Sequence, residues 1–138
     1  MHGKVIVTGG TGYIGSHTAV ELIAAGFDVV IIDNLYNSDI SVLDGIRSIT
    51  GVTPKFYDYD LCDRQKLEEV FRSEGKTDAV IHFAAYKAVG ESVRKPLEYY
   101  RNNFTSLMNL LEAMERHNPP ALVFSSSCTV YGQPDTLP

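Results

Sequence analysis

The residues best suited to chemistry in the 138-residue sequence are the run Thr8-Gly-Gly-Thr-Gly-Tyr-Ile-Gly15. It reads as GxxGxxG on Gly9, Gly12 and Gly15, or as GxGxxG if Gly10 replaces Gly9. Either register supplies the same parts. One glycine allows a sharp turn, a second leaves room for a pyrophosphate, and the last lets a helix pack against a strand. A helix opening there offers unpaired N–H groups and a partial positive charge to phosphates, so an acidic chain can bind an anionic dinucleotide locally. Glycines alone often only make turns. Here they follow an apolar strand run, and Asp33 stands 18 residues after Gly15 at the end of the next one. A carboxylate there accepts hydrogen bonds from both adenosine ribose hydroxyls and repels a 2′-phosphate, which points to NAD rather than NADP. The plainer reading is that Asp33 caps a loop.

Three further polar clusters end apolar runs: Asp58-Tyr-Asp-Leu61, Phe83-Ala-Ala-Tyr-Lys87 and Ser125-Ser-Ser-Cys-Thr129. Small residues at Ala84 and Ala85 would let a ligand lie on the backbone, Lys87 would meet a negative group or polarise a carbonyl, and the serines offer hydroxyls to a reacting oxygen. Serines at strand ends are more often turn-formers or caps. A lone lysine is usually solvated. Asn102 and Asn103 read as surface positions of poor helix propensity. His2, His17, His82 and His117 share no metal-ligand spacing. His82 reads as a packed core residue, and His117 suits a helix C-terminus. Cys62 and Cys128 fit neither a disulfide scaffold nor a zinc site and read as packing residues. No metal is expected.

These groups need a scaffold that brings strand ends together. Strand candidates are Lys4–Thr8, Asp28–Asp33, Thr53–Tyr57, Asp78–Phe83 and Ala121–Ser125, most of them β-branched runs typical of strands covered on both faces. Helical patterns run over Tyr13–Ala25, closing at Gly26, over Asp63–Ser73 with Asp63 as N-cap, and from Leu97 to His117 after Pro96. Ser38–Thr50 reads as a helix with loose ends. This alternation predicts an α/β fold with right-handed crossovers, a doubly wound parallel sheet of the Rossmann type whose strand C-termini face the ligand crevice. Such sheets usually continue past a fifth strand, so an incomplete dinucleotide-binding domain over residues 1–138 is expected.

The composition agrees. A hydrophobic share of 44% with 21% charged residues excludes a disordered chain. A net charge of −5 argues against nucleic-acid partners that need a broad positive field. No apolar run reaches membrane-spanning length, and no signal-peptide pattern opens the chain. A cytoplasmic location is expected.

Taken together, the motifs resemble the extended short-chain dehydrogenase/reductase superfamily, and within it the N-terminal part of the UDP-hexose 4-epimerases, across essentially all of the chain. The resemblance is carried by Thr8–His17, Asp33-Asn-Leu-Tyr-Asn-Ser38, Lys87-Ala-Val-Gly-Glu-Ser92, Pro96-Leu-Glu-Tyr-Tyr100 with Asn102 and Asn103, and Phe124-Ser-Ser-Ser-Cys-Thr-Val-Tyr-Gly132. It implies that Tyr13 and Ile14 join the glycines at the pyrophosphate. Asp33, Asn34, Asn37 and Ser38 would serve the adenosine ribose and nearby phosphates, with Asp60 and Leu61 beside the adenine. Phe83, Ala84, Ala85 and Lys87 would line the nicotinamide side, with Asn102 reaching in from the long helix. Ser127 matches the catalytic serine that hydrogen-bonds the sugar hydroxyl, and Lys87 and Ser127 would also meet the substrate. Two departures stand out: Ala85-Tyr86 where the family commonly has Gly-Leu, and Cys128 where it has alanine.

The resemblance further implies interconversion of UDP-glucose and UDP-galactose through a 4-keto intermediate, with NAD as cofactor and a homodimer as the working form. A tyrosine deprotonates the 4′-hydroxyl, and a lysine four residues on helps to lower its pKa from about 10. Tyr13, Tyr36, Tyr57, Tyr59, Tyr86, Tyr99, Tyr100 and Tyr131 are followed at that spacing by His17, Ile40, Leu61, Asp63, Gly90, Asn103, Phe104 and Asp135. None is lysine. The expectation is therefore a fragment, inactive alone, of an NAD-dependent isomerase whose base and sugar domain lie past Tyr131. A sugar-nucleotide dehydratase would place carboxylates within Ser125–Thr129, where there are none. An epimerase of N-acetylated or uronic UDP-sugars and a non-catalytic NAD-binding module are the alternatives.

Overall fold

The computed structural model of the chain describes residues 2–127 and Gly132. Strands β1 (Lys4–Thr8), β2 (Asp28–Asp33), β3 (Lys55–Asp58), β4 (Ala79–His82) and β5 (Leu122–Phe124) alternate with helices α1 (Tyr13–Ala24), α2 (Val42–Thr50), α3 (Arg64–Glu74), α4 (Val89–Arg94) and α5 (Pro96–His117). The strands form one parallel sheet in the order β3-β2-β1-β4-β5.

Period-two alternation divides the strand residues between two cores. Ile6, Val30, Ile32 and Val80 face Leu67, Val70 and Phe71 of α3 and Leu110 and Ala113 of α5. Val5, Val7, Val29 and Ile31 face Ala19 of α1 and Ile46 of α2. Helices therefore cover both faces, which is why β1 and β2 are almost continuously apolar. The chain leaves β1 and β2 towards one face but returns from β3 to β4 across the other. The C-terminal ends of β1 and β4 consequently flank a topological switch point, where open sheets of this kind hold ligands.

Local chemistry sets the helix ends. Asp63 caps α3, its carboxylate accepting from the N–H groups of Gln65 and Lys66. After α1, Gly26 takes φ +87° while its N–H and that of Phe27 donate to the carbonyls of Ile23 and Leu22, a Schellman closure. Two elements begin more than one residue later than the sequence reading, and one helix is additional. β3 begins at Lys55 because Pro54 has no N–H to enter the ladder. α2 begins only at Val42, because Asp39 accepts from the Ser41 N–H at 2.8 Å and Ser38 is bonded to Thr11. α4 was not expected: it is six residues long and buries none of them. Among the described residues no helix is long and apolar enough to cross a membrane.

Candidate functional site

The glycine turn occupies the C-terminal end of β1. Gly9 has φ +69°, and a Cβ there would lie 2.7 Å from the Ala84 backbone nitrogen, so this residue both turns the chain and admits the β4 loop. A Cβ on Gly15 would strike the Gly9 carbonyl oxygen, which makes Gly15 the residue that lets α1 seat against the turn. Gly12 differs from both. Its Cβ would meet only the Gly9 oxygen, at 3.3 Å, and the space beyond is open. As N-cap of α1 it provides no side-chain bond, and no acidic residue lies in the first turn. The leading N–H groups of α1 thus face the crevice with the positive end of the helix dipole, capped by no side chain. Tyr13 and Ile14 stand at this rim, 79% and 51% exposed.

Asp33 sits one strand away, half-buried. One carboxylate oxygen accepts from the Thr11 N–H at 3.1 Å and the other from the Leu35 N–H at 3.0 Å. It therefore does cap its loop, while two lone-pair sites stay available for hydroxyl donors. Thr11 and Ser38 share a 2.7 Å hydroxyl bond, so the glycine turn and the β2–α2 loop hold each other. Farther out, the Asn34 amide donates to Asp60 at 3.3 Å, and Asp60 accepts from the Cys62 N–H at 2.8 Å. These bonds bring Asn34 and Asp60 together at the end of β2 and β3. Asn37 is exposed nearby in sequence, whereas the Leu61 side chain is 5% exposed and packs into the core, leaving only its backbone for the crevice.

On the other side of β1, Phe83 and Ala84 are half-buried, one against each core, and Ala85 and Lys87 are exposed. Asn103 fastens this loop: its Nδ2 donates to the Tyr86 carbonyl at 3.0 Å and its Oδ1 accepts from the Tyr86 N–H at 2.8 Å. Asn102, half-buried, donates to the same Oδ1. Asn109 donates to the carbonyls of Leu61 and Cys62 at 2.9 and 3.1 Å. α5 is thus the rail on which the β3 and β4 loops are mounted. Asparagines inside a helix sacrifice propensity, and that oddity was the only signal of the role of Asn103 and Asn109.

Beneath the loops, His82 is buried, bonded to the Thr8 hydroxyl at 2.7 Å and stacked on Phe124. Burial lowers its pKa to about 4, so it stays neutral. Cys62 is half-buried, and desolvation with the neighbouring Asp60 charge pushes its thiol up to about 11, making it inert as a nucleophile. Ser127 lies exposed just past β5. Cys128 lies outside the described residues. The arrangement can hold a diphosphate at α1, a ribose at Asp33 and a flat group against the β4 loop.

The chain matches the model of the NAD dependent epimerase/dehydratase family over residues 5–138. It is 53% identical over 134 residues to a UDP-glucose 4-epimerase of Bacillus subtilis, covering 97% of this chain and 39% of the relative. The corresponding protein of Yersinia pestis is 55% identical over 134 residues, again 97% of this chain and 39% of the relative. Among solved structures, a UDP-glucose-4-epimerase from Stenotrophomonas maltophila with bound NAD and formylated UDP-arabinopyranose superimposes with a TM-score of 0.91 at 49% identity, covering 99% of this chain and 40% of that one. One from Bifidobacterium longum in complex with NAD+ and UDP gives 0.90 at 50% identity, covering 98% and 40%. A UDP-Glc/GlcNAc 4-epimerase from Campylobacter jejuni gives 0.87 at 35% identity, covering 97% and 40%. The chain spans about 40% of the length of these relatives.

Proposed function

The chain belongs to the NAD dependent epimerase/dehydratase family, and on that premise we propose that it is the NAD-binding part of a UDP-hexose 4-epimerase interconverting UDP-glucose and UDP-galactose. The observation that carries this reading is the uncapped N-terminus of α1, opened by Gly12 and flanked by the Asp33 carboxylate. These residues fit NAD: no side chain fills the space a pyrophosphate needs, and a carboxylate waits where a free 2′-hydroxyl would donate. When bound, NAD supplies a reversible two-electron oxidant for the sugar carbon.

The chain's own residues bind and orient. The first N–H groups of α1 take the phosphates, with Tyr13 and Ile14 at the rim, and Asp33, Asn34, Asn37, Ser38 and Asp60 serve the adenosine end. Phe83, Ala84, Ala85, Lys87 and Asn102 border the nicotinamide end. Ser127 hydrogen-bonds the hydroxyl to be oxidised, and Lys87 brings positive charge beside it. The proton acceptor is the missing partner, since no tyrosine of this chain has a lysine four residues later. It belongs, with the sugar-binding domain, to the rest of a longer cytoplasmic protein, and the 138 residues alone are inactive.

A homodimer is part of the same reading. Leu97, Tyr100, Phe104, Met108 and Leu111 lie on one face of α5, and all five are exposed. The opposite face carries the buried Tyr99, Ser106, Leu110 and Ala113. A helix apolar on both sides needs a second partner.

The test takes the complete protein and compares kcat/KM for UDP-galactose, UDP-N-acetylgalactosamine and UDP-glucuronate. UDP-galactose is expected to lead. A preference for the N-acetylated sugar would favour the kind of enzyme described for the Campylobacter neighbour, and no turnover of any of the three would leave a binding module. Turnover of UDP-galactose by the 138-residue chain alone would contradict the division of labour.

A further inference from the structure

Tyr36 and Tyr86 meet across the crevice. Tyr36 belongs to the loop after β2 and Tyr86 to the loop after β4, and these strands lie on either side of β1. Strands in a sheet are spaced about 4.8 Å, so the two strand ends stand roughly 10 Å apart. The rings close that gap, stacking with centroids 4.7 Å apart and planes 28° from parallel. The contact joins two loops that otherwise belong to opposite halves of the nucleotide site.

Its two members are held differently. Tyr86 is anchored through both backbone groups by Asn103. Its ring is half-buried and meets the edge of Tyr99 at 5.5 Å, and the Tyr99 hydroxyl donates to Glu91 of α4 at 2.8 Å. Tyr36 is 55% exposed and tied only locally, its N–H donating to Asn34 Oδ1 at 3.1 Å. The preceding Leu35 has φ +57°, with its N–H on Asp33. Asn34 also reaches Asp60, so Tyr36 hangs from the residues assigned to the adenosine end. An exposed ring on a pinned loop can leave its partner by side-chain rotation without disturbing the fold.

We propose that Tyr36 and Tyr86 form an aromatic clasp across the crevice, between its adenosine and nicotinamide ends, which must open before the dinucleotide leaves. The inference rests on the NAD reading above. Tyr86 is the fixed jaw and Tyr36 the moving one, and what closes them is ring-on-ring contact rather than the phenol hydroxyls. Both are positioning residues and touch no reacting atom in this account.

The experiment loads the complete protein with NADH, mixes it with excess NAD, and follows the decay of bound NADH fluorescence. Tyr36→Ala and Tyr86→Leu are expected to release NADH about three- to tenfold faster than the unaltered protein, the range set by losing one ring–ring contact. Their double variant should release it no faster than the faster single, because each removes the same contact. Tyr36→Phe should retain the slow release. Unfolding temperature controls for the fold, and the exposed Tyr36 is the site least able to disturb it. Unchanged release in Tyr36→Ala overturns the clasp. So does equal acceleration in Tyr36→Phe, which would assign the effect to the hydroxyl. Faster association with unchanged release overturns it too, since the rings would then obstruct entry rather than retain the ligand. If the unaltered protein binds no NADH, the NAD reading itself fails, and the clasp with it.

Discussion

At the N-terminal end of the sheet, Glu74 of α3 gathers Lys4 of β1, Lys55 of β3 and the Tyr57 hydroxyl around one carboxylate whose side chain is 3% exposed. At the C-terminal end, the first turn of α1 has neither a side-chain cap nor an acidic residue. The first end places its charges in a closed set of partners. The second leaves polar backbone groups facing open space, a condition that is costly in a buried setting unless a ligand or water completes it. The same five strands thus end in a staple on one side and a receptor on the other. Stability and binding should therefore respond to different substitutions.

The largest separation is expected at Glu74. Glu74→Ala leaves two lysines without their carboxylate and should cost about 3 kcal/mol in denaturant unfolding, while NAD affinity stays unchanged. Acid unfolding should show the same group. Burial opposes its charged form, but hydrogen bonds from Lys55, Tyr57 and Lys4 outweigh that and hold its pKa down to about 2, against an ordinary 4.5. Its contribution is therefore complete above about pH 4.5 and fades as the pH falls towards 2. The Glu74→Ala protein should lack that part of the pH dependence.

Asp33 should behave in the opposite sense. Asp33→Ser is expected to weaken NAD about tenfold and to narrow its advantage over NADP, because the carboxylate that repels a 2′-phosphate is gone. Titration with both dinucleotides measures this, and equal loss for both would refute the ribose assignment. The smallest effect is expected at Asp63, whose carboxylate is taken up by the N–H groups of Gln65 and Lys66, where Asp63→Ala removes the α3 cap and should lower stability by about 1 kcal/mol with no change in binding.

The receptor end was more legible in the sequence than the staple. Its glycines each answer a local steric demand, and β1 and β2 are apolar over nearly their whole length, so both strands and the turn between them could be bounded from neighbours in the chain. The cap at Asp63 and the Gly26 closure of α1 are local in the same way. The staple was not visible, because Glu74 lies 70 residues from Lys4 and looks like an ordinary solvated charge at a helix end. The tyrosine contact was hidden for the same reason: its members are 50 residues apart and meet only because β2 and β4 flank β1. Asn103 read as a surface residue, since the loop it clamps is brought to it by the crossover. α4 left no pattern, having no buried face to impose one.

Gly12 tests most directly whether the open N-terminus of α1 is a dinucleotide site. A Cβ there meets only one backbone oxygen, and φ −70° suits any residue, so a side chain enters the ligand space rather than the protein. Calorimetric titration of the complete protein with NAD should show Gly12→Val weakened by at least about a hundredfold, roughly 2.7 kcal/mol, with its unfolding transition nearly unmoved. Full NAD affinity in a folded Gly12→Val protein would contradict the account.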